Sequence, residues 1–146
     1  MLPRALQDLV DTFALVTDPA DRANLLIGFA DQFEPVPAEI ATPPYPEENR
    51  VPYCESDAYV WLVPQADGTG ALHFAVANPS GISAKALAAI LRRTLSGLPL
   101  EAIADVPPDI VEQLFRQNIS MGKGMGLMAM VQTVQRLARR AAQPGR

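Results

Sequence analysis

Cys54 is the only thiol and His73 the only imidazole in this chain of 146 residues. A thiolate is a strong nucleophile, and how much of it forms depends on pKa and access. Glu55 and Asp57 flank Cys54, and negative neighbours tend to raise a thiol pKa. Free cysteines are also among the most buried residues. Residue type alone therefore leaves two roles open, an inert packed thiol or a reactive one. A nucleophilic cysteine normally needs a base within reach, and only His73 could serve. His73 sits in the run Ala71-Leu72-His73-Phe74-Ala75, where strand alternation places it opposite Leu72 and Phe74, on the less buried face.

A second candidate is Ser120-Met121-Gly122-Lys123-Gly124-Met125-Gly126. It is neither a Walker A loop nor a dinucleotide-binding turn after a strand. Amides at a helix start can hold an anion, and Lys123 could assist. The competing reading is that the glycines serve close packing and a loose cap. Met121, Met125, Met128 and Met130 read as flexible core filling.

One cysteine forbids an internal disulfide or a CxxC pair. Together, Cys54, His73 and carboxylates are too few for a dedicated metal centre within one chain.

Several elements must position these groups. Leu6, Leu9, Val10, Phe13 and Ala14 share one face, so the spacing predicts a helix over Pro3 to Val16. Asp18-Pro19 starts a second helix, with Leu25, Leu26, Phe29, Ala30 and Phe33 aligned. Residues 35–52 then lose all periodicity, and six of these 18 are proline. Proline fixes φ and removes a donor, so an extended surface segment is expected, ending at Val51-Pro52-Tyr53-Cys54.

Tyr59 to Val63 and Ala71 to Ala77 flank the turn Asp67-Gly68-Thr69-Gly70, which predicts a β-hairpin. A third helix is expected from Ser83 to Thr94, and a short one from Pro107-Pro108 through Phe115. Asn118 to Gly126 reads as a loop and cap before a last helix carrying Leu127, Met130, Val131, Val134, Leu137 and Ala138. The order implies an α+β domain, a small antiparallel sheet packed against several helices. Residues 1–140 are expected to form that single domain, with 141–146 a fraying tail.

Net charge is −4 and the sequence pI about 4.9, which argues against a nucleic-acid binder. Residues 1–67 hold 12 acids against 3 bases, while residues 68–146 hold 4 against 9. No apolar run approaches the roughly 20 residues of a membrane span. The N-terminal residues carry acids early and lack an apolar signal core. A cytoplasmic protein with a reduced Cys54 is the expectation.

Taken in order, these features resemble a known family. Glu48-Asn49-Arg50-Val51-Pro52-Tyr53-Cys54-Glu55-Ser56 followed by Val60-Trp61-Leu62 is similar to the E-N-R-V-x-G-C-x-S-x-V-W segment of the SufE family. Gly126-Leu127-Met128-Ala129-Met130 resembles that family's S-x-G-L-x-A-M helix start. The order of elements matches over nearly the whole chain, which implies a SufE/IscU-like fold.

The resemblance implies a sulfur acceptor for iron–sulfur cluster assembly. Cys54 would take persulfide sulfur from a SufS-like cysteine desulfurase and pass it to a SufBCD-like scaffold, also stimulating the desulfurase. Arg50, Tyr53 and Ser56 would support the loop, and Lys123 would contact the partner or an anion. The resemblance implies no bound cofactor, because pyridoxal phosphate resides on the desulfurase. Homodimerisation is one option in such a family. Thiol–persulfide exchange needs one accessible thiol, no metal and no resolving cysteine, which would discharge the cargo as a disulfide. A shielded or mobile Cys54 at a loop tip is the structural expectation.

The sequence departs from the family pattern in four places. Tyr53 stands where glycine is usual, so the loop is expected to forgo a glycine-only backbone shape there. Asp57, Ala58 and Tyr59 occupy a space of one residue. Lys123 replaces an arginine and loses its planar fork. Gly81 replaces the acid that usually follows Ser80. These departures motivate an alternative, a desulfurase-binding regulatory module whose loop no longer transfers sulfur. An unrelated thiol enzyme, with His73 as base, is the third reading.

Overall fold

The computed structural model describes residues 2–143. α1 (Arg4–Leu15) buries Leu6, Val10 and Phe13, the stripe its spacing predicts, while Ala14 is exposed. Asp18 caps α2 (Pro19–Asp31), its carboxylate accepting from the Ala20 amide at 3.1 Å. β1 (Ala58–Pro64) and β2 (Thr69–Val76) form the expected antiparallel hairpin, with Val60 opposite Phe74 and Trp61 opposite His73. α3 (Ile82–Leu95) follows, and Leu87, Ile90, Leu91 and Leu95 are fully buried along it. Beyond it come β3 (Leu98–Pro99), α4 (Leu100–Ala104), α5 (Ile110–Phe115) and α6 (Met121–Ala142).

The sheet order is β1-β2-β3. Its inner face (Ala58, Val60, Leu72 and Phe74) is buried, with α3 packed on β2 and α6 on β1. β3 and α4 carry no sequence signal strong enough to read. A strand of two residues, one of them proline, stands only at an edge. There it caps β2 jointly with neighbours: the Gly97 amide donates to the Gly70 carbonyl at 2.8 Å, and the Leu72 amide to Ser96 Oγ at 3.0 Å.

The proline-rich segment is extended except at two turns, one at residues 38–40, where the Ile40 and Ala41 amides donate to the Pro37 carbonyl at 2.9 and 3.2 Å, and a 3-10 turn at Glu47–Asn49. It crosses the outer sheet face, where Tyr45 packs on Tyr59 and Trp61 with ring centroids 5.2 and 5.4 Å away. It is also tied to the hairpin at both ends. The Val36 amide donates to the Phe74 carbonyl at 2.8 Å, and Asn49 Nδ2 to the Val60 carbonyl at 2.9 Å.

The last helix starts six residues before the expected Leu127, so Gly122, Gly124 and Gly126 are helical rather than in a loop. Glycine inside a helix costs about 1 kcal/mol relative to alanine, which is why the local signal points the other way. Ser120 caps this helix, its Oγ accepting from the Lys123 amide at 3.3 Å. Burial of its apolar face outweighs the local cost. Of the four methionines only Met130 is core; Met121, Met125 and Met128 are 87, 61 and 38% exposed. At i, i+4 and i+7 these three share one helical face, which points away from the core. α6 runs through Ala142 with Gln143 as its C-cap, so residues 141 and 142 of the expected frayed tail are helical, and 144–146 lie outside the described residues.

Arg22 is the burial that no periodicity anticipates. It is 2% exposed. Its guanidinium donates to the Phe13 and Val16 carbonyls at the end of α1 and to the Gln113 and Leu114 carbonyls of α5. Two helix C-termini, each with orphan carbonyls and negative dipole ends, thus take the place of a counter-ion. Burial, and then the Arg116 charge, hold its pKa below the usual arginine range.

Candidate functional site

Cys54 lies midway along a loop whose ends are pinned together. The Val51 amide donates to the Ala58 carbonyl at 2.8 Å, and Arg50 bridges Tyr59 at the edge of β1. Within the loop, the Asp57 amide donates to the Cys54 carbonyl at 3.3 Å. Tyr53 and Asp57 bracket the thiol, and both have positive φ, +62° and +52°.

The left-handed shape is therefore kept at Tyr53 without glycine, contrary to the expectation from residue type. An L-residue reaches that region at a cost of about 1–2 kcal/mol, which a well-determined loop can sustain. The Tyr53 side chain is 83% exposed, so its backbone, not its ring, is what the fold holds. The extra length before β1 is absorbed at Asp57. Its left-handed turn delivers Ala58 into the strand, and its carboxylate pairs with Arg50 at 2.5 Å.

Arg50 also meets Glu47 at 3.3 Å. The Glu47 hydrogen bond, followed by the Asp57 and Glu47 charges, raises its pKa. Arg50 thus braces the loop ends and is not among the residues lining the space beside the thiol.

Cys54 itself is 7% exposed and packs with the core. It lines a cavity of about 250 Å³ together with Tyr53, Ser56 and Lys123, so these sequence-selected residues converge on one space. Gly126 seats the loop from below. A Cβ there would stand 3.0 Å from the Tyr53 carbonyl oxygen and 3.2 Å from Cys54 Cα. Gly81 plays the same part beside Ser56, where an added Cβ would meet the Ser56 Cβ at 2.9 Å.

Sequence reasoning missed the start of α3. Ile82, Ser83 and Ala84 line the cavity opposite α6. The Asn-Pro-Ser-Gly turn marks a helix start, but not where that start points.

His73 is elsewhere. It pairs with Trp61 on the outer sheet face, is half-buried, and does not line the Cys54 cavity. Burial, and then the Arg92 charge, lower its pKa, while Glu39 pulls it up. The thiol-enzyme reading loses its base. No group of three or more potential metal ligands gathers among the described residues. No helix among them is long and apolar enough to cross a membrane.

Residues 7–138 match the sequence model of the SufE family, described as an Fe-S metabolism associated domain. The chain belongs to the SufE family. This SufE domain is 29% identical over 138 residues to SufE-like protein 1, chloroplastic/mitochondrial, of Arabidopsis thaliana. The match covers 94% of the chain but 35% of that relative, so the chain spans about a third of its length. Its fold is similar to the solution structure of a hypothetical protein from Thermus thermophilus, with a TM-score of 0.75 and 27% identity. That likeness covers 97% of this chain and 98% of the other. A role in iron–sulfur metabolism follows from the family.

Proposed function

We propose that this SufE domain is a sulfur carrier that takes persulfide sulfur from a cysteine desulfurase onto Cys54 and hands it to an iron–sulfur scaffold. The observation that supports this is the placement of Cys54, a 7% exposed thiol on a braced loop that opens onto a cavity holding Lys123. In the transfer, the Cys54 thiolate attacks the outer sulfur of the donor's persulfide. A Cys54 Sγ–S bond forms, the donor's S–S bond breaks, and the donor sulfur leaves as a thiolate. Delivery repeats the exchange with an acceptor thiolate and releases the Cys54 thiolate, with no net oxidation or reduction. Burial keeps bulky thiols away from the cargo until docking moves the loop. A reducing cytoplasmic compartment suits a carrier with one free cysteine.

The test is to incubate the protein with a desulfurase and cysteine and weigh the intact chain. Wild type is expected to gain sulfur and Cys54→Ser to gain none. No added mass on wild type, or an equal gain on the variant, overturns the carrier reading. If wild type gains no sulfur, and both it and Cys54→Ser bind and stimulate the desulfurase, the protein is instead a regulatory module.

A further inference from the structure

Two long helices begin at the Cys54 cavity. α3 is 14 residues long and α6 is 22, and neither has an acid in its first turn. α3 also lacks a side-chain cap. The amides of Ser83, Ala84 and Gly122, three residues that line the cavity, donate to no acceptor among the described residues. Each helix start carries roughly half a positive charge.

The two formal charges on the cavity wall, Lys123 and Glu55, cancel, so the helix starts decide the sign. Lys123 forms no ion pair among the described residues. The Cys54 thiol, more than nine-tenths buried at this wall, has no hydrogen-bond partner among them either. The residues that carry an unpartnered buried thiol, orphan amides and an unpaired ammonium therefore line one space. At about 250 Å³, that space exceeds what a single water fills, about 30 Å³.

We infer that this cavity is an anion seat whose ligand is the charged outer sulfur of a persulfide on Cys54. The identity of that ligand rests on the carrier reading; the anion preference does not. A hydropersulfide is a stronger acid than its parent thiol, so the loaded cargo is an anion at neutral pH. The orphan amides and Lys123 complement that charge, whereas an uncharged sulfur gains little from such donors. The seat thereby favours the loaded form over the empty one and offsets the acids that flank Cys54 in sequence.

The test compares alkylation of Cys54 by iodoacetate, an anion, with alkylation by neutral iodoacetamide. Both reagents are small and need no sulfur chemistry. The ratio of the two rates is expected to be higher in the folded protein than in urea. It should drop about two- to fivefold in Lys123→Met, the worth of one charge near a helix start, and be kept in Lys123→Arg. A folded ratio equal to that in urea, or one unchanged in Lys123→Met, overturns the anion seat. Failure of desulfurase-dependent loading with this ratio intact would refute the carrier reading and leave the seat standing.

Discussion

Gly126 and Cys54 touch across the molecule: a Cβ on Gly126 would stand 3.2 Å from Cys54 Cα and 3.0 Å from the carbonyl oxygen of Tyr53. Both obstructing atoms are backbone, so no side chain can swing aside. Gly126→Ala is therefore expected to lift the cysteine loop and cost about 1–3 kcal/mol, the range for overpacking. Gly122 is the control, because nothing lies within 4 Å of its added Cβ. Gly122→Ala should stabilise by up to about 1 kcal/mol through helix propensity. Urea unfolding checks both, and labelling of Cys54 by a bulky disulfide reagent should accelerate in Gly126→Ala alone.

Tyr53 holds φ +62° with an exposed ring. Tyr53→Gly removes the left-handed penalty but loosens the unfolded chain, so it should be neutral or up to about 1 kcal/mol stabilising. Thermal unfolding decides. A clear drop in Tm would mean that the ring, not the backbone, is held. Loss of sulfur loading at unchanged Tm would assign the exposed ring to partner docking.

Arg50 and Asp57 join the two ends of the loop. Asp57→Asn keeps a residue that tolerates the left-handed turn while removing its charge. The pair is largely exposed, so Tm should hardly change. Cys54 labelling should nevertheless speed up, with the difference shrinking at high salt in wild type. Equal labelling rates at low salt would show that the bridge does not restrain the loop.

Arg22 serves four carbonyls at two helix ends. Arg22→Leu leaves those acceptors buried and unserved, and a loss of about 3–5 kcal/mol is expected. Urea unfolding measures it. A loss under about 1 kcal/mol would mean that water replaces the guanidinium.

His73 has a pKa lowered by burial and by Arg92. The unfolded chain therefore binds the proton more readily, at about pH 6.5. Its contribution is complete above that value and is lost as pH falls toward the lower folded pKa. The stability difference between wild type and His73→Gln, from urea unfolding at pH 7.5 and 5.5, should shift against wild type at the lower pH. No shift would mean that the imidazole keeps its ordinary titration.

Much of the fold was legible in the local pattern of residues. Apolar spacing set the α1 stripe and the buried row of α3, and the Asp67-Gly68 turn between β-prone runs set the hairpin. The crowded prolines of residues 35–52 set a segment without long helix or strand, extended between two turns, that leads into Cys54. These are local properties, legible because backbone geometry repeats every two or 3.6 residues. The family motifs placed Cys54, Tyr53 and Ser56 on one loop and singled out Lys123.

Long-range packing fixed the rest. It set Tyr53 in a left-handed turn and started α6 at Met121, against the preference of its glycines, by burying Gly126 under the loop. It buried Arg22 between two helix ends, and it turned the start of α3 toward the same cavity as Lys123. Each of these outcomes depends on contacts between segments far apart in the chain, and such contacts leave no period in the sequence to read.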